Sequence, residues 1–249
     1  MRAATGKIIV IQMENGGSRA AKIACPPRMI PAPGKYILAR SPAESDSVVG
    51  WLLFPGGIPS PRPSSRQTTP PADSTSNFTA GPIPSTWRPG DSLNLRGPLG
   101  HGFRLPKNVR RLALVALGDT ASRLLPLIPP ALESGADIAL FCEAPLHPRT
   151  HAPLPSIVEI HSLSDLPEIK SWPDFLALDL PLDALPTLRQ TLGLGPHERL
   201  PCPAQALVWT PMPCGALADC GVCALPARRG GYKLACKDGP VFDLNDLEW

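Results

Sequence analysis

Apolar and polar positions change rhythm twice along this 249-residue chain. In the first stretch, short apolar runs are broken by Gly and Pro: Lys7 to Met13, Ala20 to Ala24, Tyr36 to Ala39 and Val48 to Phe54 read as strands between turns. Leu93 and Leu95 alternate as another strand after the Pro89-Gly90 turn, and the glycines at 97, 100 and 102 then permit a tight backbone path. Many short strands with frequent turns predict a small antiparallel barrel. After Pro106 the rhythm changes. Leu112 to Leu117 is a continuous apolar run suited to a buried parallel strand, and Ala121 to Glu133 has helical spacing despite Pro126, Pro129 and Pro130. Strands at Asp137 to Phe141, Ile157 to Ile160 and Phe175 to Leu178, a helix around Leu182 to Leu192 and a last strand at Ala204 to Trp209 complete an α/β domain. From Pro211 onward cysteines replace the apolar pattern.

The expected fold class is therefore α+β and multi-domain: an N-terminal antiparallel β-barrel over 1–106, an α/β domain over 107–210 and a small C-terminal segment over 211–249. Composition adds one feature. The chain has 34 prolines, and the stretch from about 55 to 89 is dominated by Ser, Thr, Pro and Gly without a sustained apolar period, which predicts a long loop inserted in the barrel. A formal charge of +3, with 24 basic residues scattered along the chain, argues against nucleic acid as a partner. No stretch approaches the roughly 20 apolar residues that a bilayer-spanning helix needs. The run Ile8 to Ile11 is too brief for the apolar core of a secretory signal, so a cytoplasmic location is expected.

Chemistry concentrates in Cys214-x5-Cys220-x2-Cys223-x12-Cys236. Four thiolates joined by short loops can hold an iron-sulfur cluster or zinc. Gly215, Ala216, Ala218, Gly221 and Ala224 would let the backbone approach the metal and turn amide hydrogens toward the sulfurs. Plant-type ferredoxins use C-x4-C-x2-C, one residue shorter in the first step. Zinc sites usually pair two Cys-x2-Cys knuckles, whereas here single cysteines flank one knuckle. Zinc, disulfides and unrelated structural thiols stay open as readings. Cys25, Cys142 and Cys202 read as buried small hydrophobes. His147 and His151 are four apart, but the surrounding prolines deny a helix that would make them a metal pair. His101, in the glycine-rich turn, reads as a solvent-facing residue.

Three pieces of this sequence resemble the electron-transfer subunit of dihydroorotate dehydrogenase, within the ferredoxin reductase-like flavoproteins. They are Gly90-Asp91 followed by Gly97-Pro98-Leu99-Gly100-His101-Gly102-Phe103, then Met212-Pro213-Cys214-Gly215 leading into Cys220-x2-Cys223, and Cys236-Lys237-Asp238-Gly239-Pro240-Val241-Phe242. The resemblance implies a six-stranded flavin-binding barrel, a nucleotide-binding domain and a C-terminal [2Fe-2S] cluster ligated by Cys214, Cys220, Cys223 and Cys236. It also implies a partner, the catalytic dehydrogenase subunit, in a hetero-oligomer.

Departures from the family pattern bear on the other cofactors. The glycine-rich turn after the first strand of the nucleotide domain is here Gly118-Asp119-Thr120-Ala121-Ser122-Arg123, with one glycine and a carboxylate facing where a pyrophosphate would lie, so NAD is not expected to bind. The family's later Cys-Gly-Pro-x-Pro segment is replaced by Asp179-Leu180-Pro181-Leu182. The family's Arg-x-x-Ser/Thr flavin strand has no clear counterpart; Arg40 and Arg62 are the nearest candidates, and Thr79 matches a phosphate-contacting threonine without its preceding glycine. The resemblance leaves FAD open. Two functions follow as expectations: an electron-transfer subunit relaying electrons through the cluster to a partner dehydrogenase, or a cofactor-poor paralogue that acts in assembly with a structural metal site. The tail Phe242 to Trp249 is expected to pack on the chain's own barrel, with docking on a partner as the alternative.

Overall fold

The computed structural model describes residues 2–14, 17–44, 50–59, 75–143, 154–195 and 197–249. The first six strands are β1 (Ala3–Met13), β2 (Arg19–Cys25), β3 (Tyr36–Arg40), β4 (Trp51–Gly56), β5 (Ser76–Gly81) and β6 (Ser92–Leu99). They close into an antiparallel barrel in the order β1-β2-β5-β4-β3-β6. Alternation sorts the side chains: Ile8, Ile23, Ile37, Leu53, Phe78, Leu93 and Leu95 fill the interior with Trp87. Strand β5 corrects the expectation of a continuous loop from 55 to 89. Only Phe78 and Ala80 point inward from it, too short an alternation to stand out among the flanking Ser, Thr and Pro residues. Arg62 lies outside the described residues.

The second unit is a six-stranded sheet. Parallel strands β7 (Arg111–Ala116), β8 (Asp137–Cys142), β9 (Val158–His161), β10 (Phe175–Pro181) and β11 (Ala204–Trp209) are joined by a last antiparallel edge strand, β14 (Val241–Asp243), in the order β14-β11-β10-β7-β8-β9. Its strands match the predicted runs closely. Its helices do not. In place of a helix over Ala121 to Glu133 there is a 3-10 turn at Leu125–Leu127 and an α-helix confined to Ile128–Glu133. Pro129 and Pro130 fit a first helical turn, where their missing N–H groups are not needed, but a helix running through them is blocked. The predicted helix at Leu182 to Leu192 is likewise a 3-10 segment, Leu182–Thr187 with Pro186 inside it, followed by one α-turn, Leu188–Thr191.

A small hairpin, β12 (Ala224–Pro226) and β13 (Tyr232–Leu234), precedes β14. One apolar core joins the parts: Tyr36, Leu38 and Phe54 on the outside of the barrel, Val115, Leu178 and Val208 in the sheet, and Cys223, Cys236 and Leu244 beyond it. The tail packs on the sheet unit rather than on the barrel, correcting that expectation. Leu244 and Leu247 are buried, Trp249 Nε1 donates to the Leu244 carbonyl at 2.8 Å, and the Arg189 guanidinium lies over the Trp249 ring. Among the described residues no helix is long and apolar enough to cross a membrane. His147 and His151 fall outside the described residues.

Candidate iron-sulfur centre

After β11 the chain turns at Met212, whose carbonyl accepts from the Gly215 N–H at 2.9 Å. Gly215, Ala216, Ala218 and Gly221 then take left-handed backbone angles, with φ of 63°, 65°, 63° and 70°. Successive turns of this hand make a concavity of N–H groups that suits an anion. The amides of Leu217, Ala218 and Asp219 point at the Cys214 sulfur.

The twelve-residue gap from Cys223 to Cys236 is spanned by the hairpin. Ala224 pairs with Leu234 and Pro226 with Tyr232, so the flanking cysteines return to each other's side. Ala235 N–H donates to the Cys223 carbonyl at 2.9 Å, and Asp238 accepts from the Leu234 N–H at 2.8 Å, fixing the turn that carries Cys236. The Cys236 thiol hydrogen-bonds that of Cys223 and lies close enough to Cys214 to feel its charge. On the other side, the Cys214 and Cys220 sulfurs and the Asp219 carboxylate lie within 4.8 Å of one another. All four predicted cysteines are brought together.

The site is graded from wet to dry. Cys220 is exposed, Cys214 half-buried, and Cys223 and Cys236 are buried in the core. Burial opposes a charge on Cys214, but the Cys220 thiol and the three amides outweigh it and draw its pKa below the ordinary thiol value. Cys236 goes the other way: burial first, then the Cys223 hydrogen bond and the nearby charges of Cys223 and Cys214, push it up to about 12. Four thiolates so close repel one another unless a cation lies among them, and the inward-turned amides add charge stabilisation. The donor set of Cys214, Cys220, Cys223 and Cys236 fits an iron-sulfur cluster.

The barrel supplies residues that the sequence did not mark out. Arg96 on β6 reaches across and donates through Nη2 to the Gly215 carbonyl. Tyr36 on β3 is fully buried and directs its hydroxyl toward the Cys236 carbonyl at 3.5 Å, while burial and the cluster cysteines push its own pKa up. His101 is exposed as expected, but it clasps the segment: its N–H donates to the Gly239 carbonyl at 2.6 Å and Nδ1 lies 3.0 Å from the Asp238 carbonyl. Arg96 follows the inward Leu95, so strand alternation could have placed it on the outer face. Its target could not be read. The remaining thiols are apart from this site, and burial pushes Cys25 and Cys202 up to about 11.

The crevice between barrel and sheet is built differently. Thr79 lies opposite Gly56 on the outer face of the barrel, and Arg40 ends β3 opposite Asn94. Gly57 N–H donates to the Ser122 carbonyl at 2.9 Å, so the turn after β7 rests directly on β4. Phe54, buried beside Tyr36 with ring centroids 5.6 Å apart, occupies the same face. Behind that turn Arg123 Nε donates to Asp179 Oδ2 at 2.8 Å, with both side chains nearly or fully buried. Phe54, the Gly57–Ser122 contact and the Arg123–Asp179 pair occupy the described part of this crevice.

A closed six-stranded barrel followed by a five-strand parallel sheet with an antiparallel edge is a ferredoxin reductase-like fold, here with a four-thiol segment inserted before the edge strand. Residues 210–248 match the family described as the iron-sulfur cluster binding domain of dihydroorotate dehydrogenase B. The fold is similar to that of an NADH-dependent reduced ferredoxin-NADP oxidoreductase studied for flavin-based electron bifurcation, with TM-score 0.69 and 16% identity over 98% of this chain and 90% of that one. It is also similar to phthalate dioxygenase reductase (TM-score 0.52, 14% identity, 94% and 77% covered) and to ferredoxin-NADP+ reductase from Plasmodium falciparum (0.52, 11%, 79% and 91%). No curated protein sequence matches the chain. The chain thus has a ferredoxin reductase-like fold, and its residues 210–248 are similar to the iron-sulfur cluster binding domain of dihydroorotate dehydrogenase B.

Proposed function

We propose that the chain is an electron-transfer subunit in which a [2Fe-2S] cluster on Cys214, Cys220, Cys223 and Cys236 exchanges electrons with a partner dehydrogenase of the dihydroorotate dehydrogenase type. The carrying observation is the convergence of four thiols under inward-turned amides at the rim of the barrel. When bound, such a cluster supplies one-electron chemistry at a potential set by its charge, hydrogen bonds and exposure. The protein's residues set those terms. Amides of Leu217, Ala218 and Asp219 lower the charge on the Cys214 side, and Arg96 anchors the wrap with a cation nearby. Cys223 and Cys236 keep one side dry within the core, while Cys220 leaves the other open to a partner.

No acid-base group is required. Short distance and small rearrangement suffice, and the backbone hydrogen bonds at Met212, Cys223 and Gly239 hold the wrap still. Anaerobic purification with iron, sulfide and zinc analysis, and visible spectra before and after dithionite, tests the reading. About two irons and two sulfides per chain, with absorption that bleaches on reduction, are expected for this cluster type. A colourless protein holding zinc would overturn it and leave the assembly subunit with a structural metal site.

A further inference from the structure

An open α/β sheet receives its ligand beyond the carboxyl ends of its parallel strands, where successive connections part to opposite sides. In this sheet the chain runs from β7 outward to β8 and β9 and returns on the other side to β10 and β11, so that point lies between β7 and β10. There Ala116 pairs with Asp179. The place is filled by the protein itself. Arg123 comes back from the turn after β7 to bind Asp179, the pair being 5% and 0% exposed, and the Trp209 ring at the end of β11 covers the guanidinium with its centroid 5.5 Å away.

The single glycine of the turn faces the same two side chains: a β-carbon at Gly118 would meet Arg123 Nη2 at 3.6 Å and Trp209 Nε1 at 3.7 Å, an ordinary contact, so both side chains line the turn. Asp179 also presents a second oxygen, Oδ1, that is buried without a hydrogen-bond partner; a pyrophosphate brought beside it would add charge of the same sign. On the barrel side a β-carbon at Gly56 would lie 3.1 Å from Ser122 Oγ, and the Gly57 to Ser122 bond closes the remaining gap.

We infer that the interdomain crevice of this chain is sealed by Arg123, Asp179, Trp209 and Ser122 against flavin and pyridine dinucleotide, so that the cluster exchanges electrons only with proteins, at both entry and exit. The inference rests on the cluster assignment proposed above. Its chemical consequence follows from electron counting. A reduced pyridine nucleotide gives up two electrons together as hydride, and a one-electron centre cannot take them without a flavin to divide the pair. A donor to this chain must therefore be a one-electron protein reductant. One electron enters from that donor and one leaves to a protein acceptor, with no hydride or proton transferred. Cys220 is exposed and flanked by the exposed apolar residues Leu217 and Val222, which gives such proteins an approach to the cluster.

The full chain, purified anaerobically with its cluster, is incubated with excess FAD or FMN, passed through a desalting column and assayed for flavin released by acid. Only trace flavin is expected, and stoichiometric retention of either flavin would overturn the inference. NADH and NADPH are then added separately. The visible spectrum should stay oxidised with both and bleach with dithionite, whereas bleaching by either nucleotide alone would overturn the inference. Flavin retention reads the crevice even in a preparation without iron, so failure of the cluster assignment, seen in the metal analysis, is distinguishable from failure of the seal.

Discussion

Arg96 is the barrel cation that reaches the cluster wrap, and its charge has a predictable effect. Reduction adds negative charge, which a nearby guanidinium stabilises, so Arg96→Gln should lower the midpoint potential while Arg96→Lys keeps most of it; a redox titration followed by electron paramagnetic resonance checks both. Ala218 stands with φ at 63°, where an L-residue with a side chain costs about 1–2 kcal/mol relative to glycine. Ala218→Gly should thus retain the cluster and raise the thermal midpoint slightly, whereas Ala218→Val should lose iron, as metal analysis would show. Arg123→Ala leaves Asp179 buried and uncompensated, an expected loss of about 3–5 kcal/mol in denaturant unfolding. Burial holds the Asp179 pKa above the ordinary carboxylate value despite Arg123. A raised native value means that the protonated group favours folding, so this residue's contribution grows as pH falls through it and fades as pH rises. Replacing both partners, Arg123→Met with Asp179→Leu, should be close to neutral or stabilising at pH 7, and stability measured across the acid range should lose that gain.

The cysteine segment is held as a unit by elements far away in sequence. Gly100, with φ at 75°, lies where a β-carbon would come 2.8 Å from the Gly239 carbonyl oxygen and crowd the Pro240 ring. Gly100→Ala should cost about 1–3 kcal/mol and speed iron loss to a chelator, since overpacking here pushes on the turn after Cys236. At this scale the sequence was partly legible. The parallel strands were visible because a strand covered on both faces is a continuous apolar run, as in Leu112 to Ala116 and Ala204 to Trp209. The helices were misread because apolar spacing around Pro126 to Pro130 and Pro186 looks helical, while the rings permit only 3-10 turns and single helical turns. Strand β5 was hidden for a different reason: six residues amid a proline-rich stretch carry too few alternations to register.

Across the whole molecule, order along the chain conveyed the architecture, and four cysteines with small residues between them marked the candidate site. That the turn after β7 holds Asp119 and a single glycine could also be read. What fills the turn could not. Arg123 and Asp179 are 56 positions apart, and their pairing depends on parallel strands bringing the ends of β7 and β10 side by side. The same holds for Tyr36 and Cys236, separated by 200 positions and joined only when the tail returns to the barrel.

That shared core also joins metal supply to folding. Cys223 and Cys236 are packed in the same continuous interior as Tyr36 of the first lobe and Leu178 of the second. Damage by oxygen or scarcity of iron would not simply silence one centre; it would strip charge compensation from the middle of the packing and soften both lobes together. Calorimetry should record one shared melting event, displaced to lower temperature as a whole when the metal is removed. A cell would meet the metal-starved form as a substrate for its proteases.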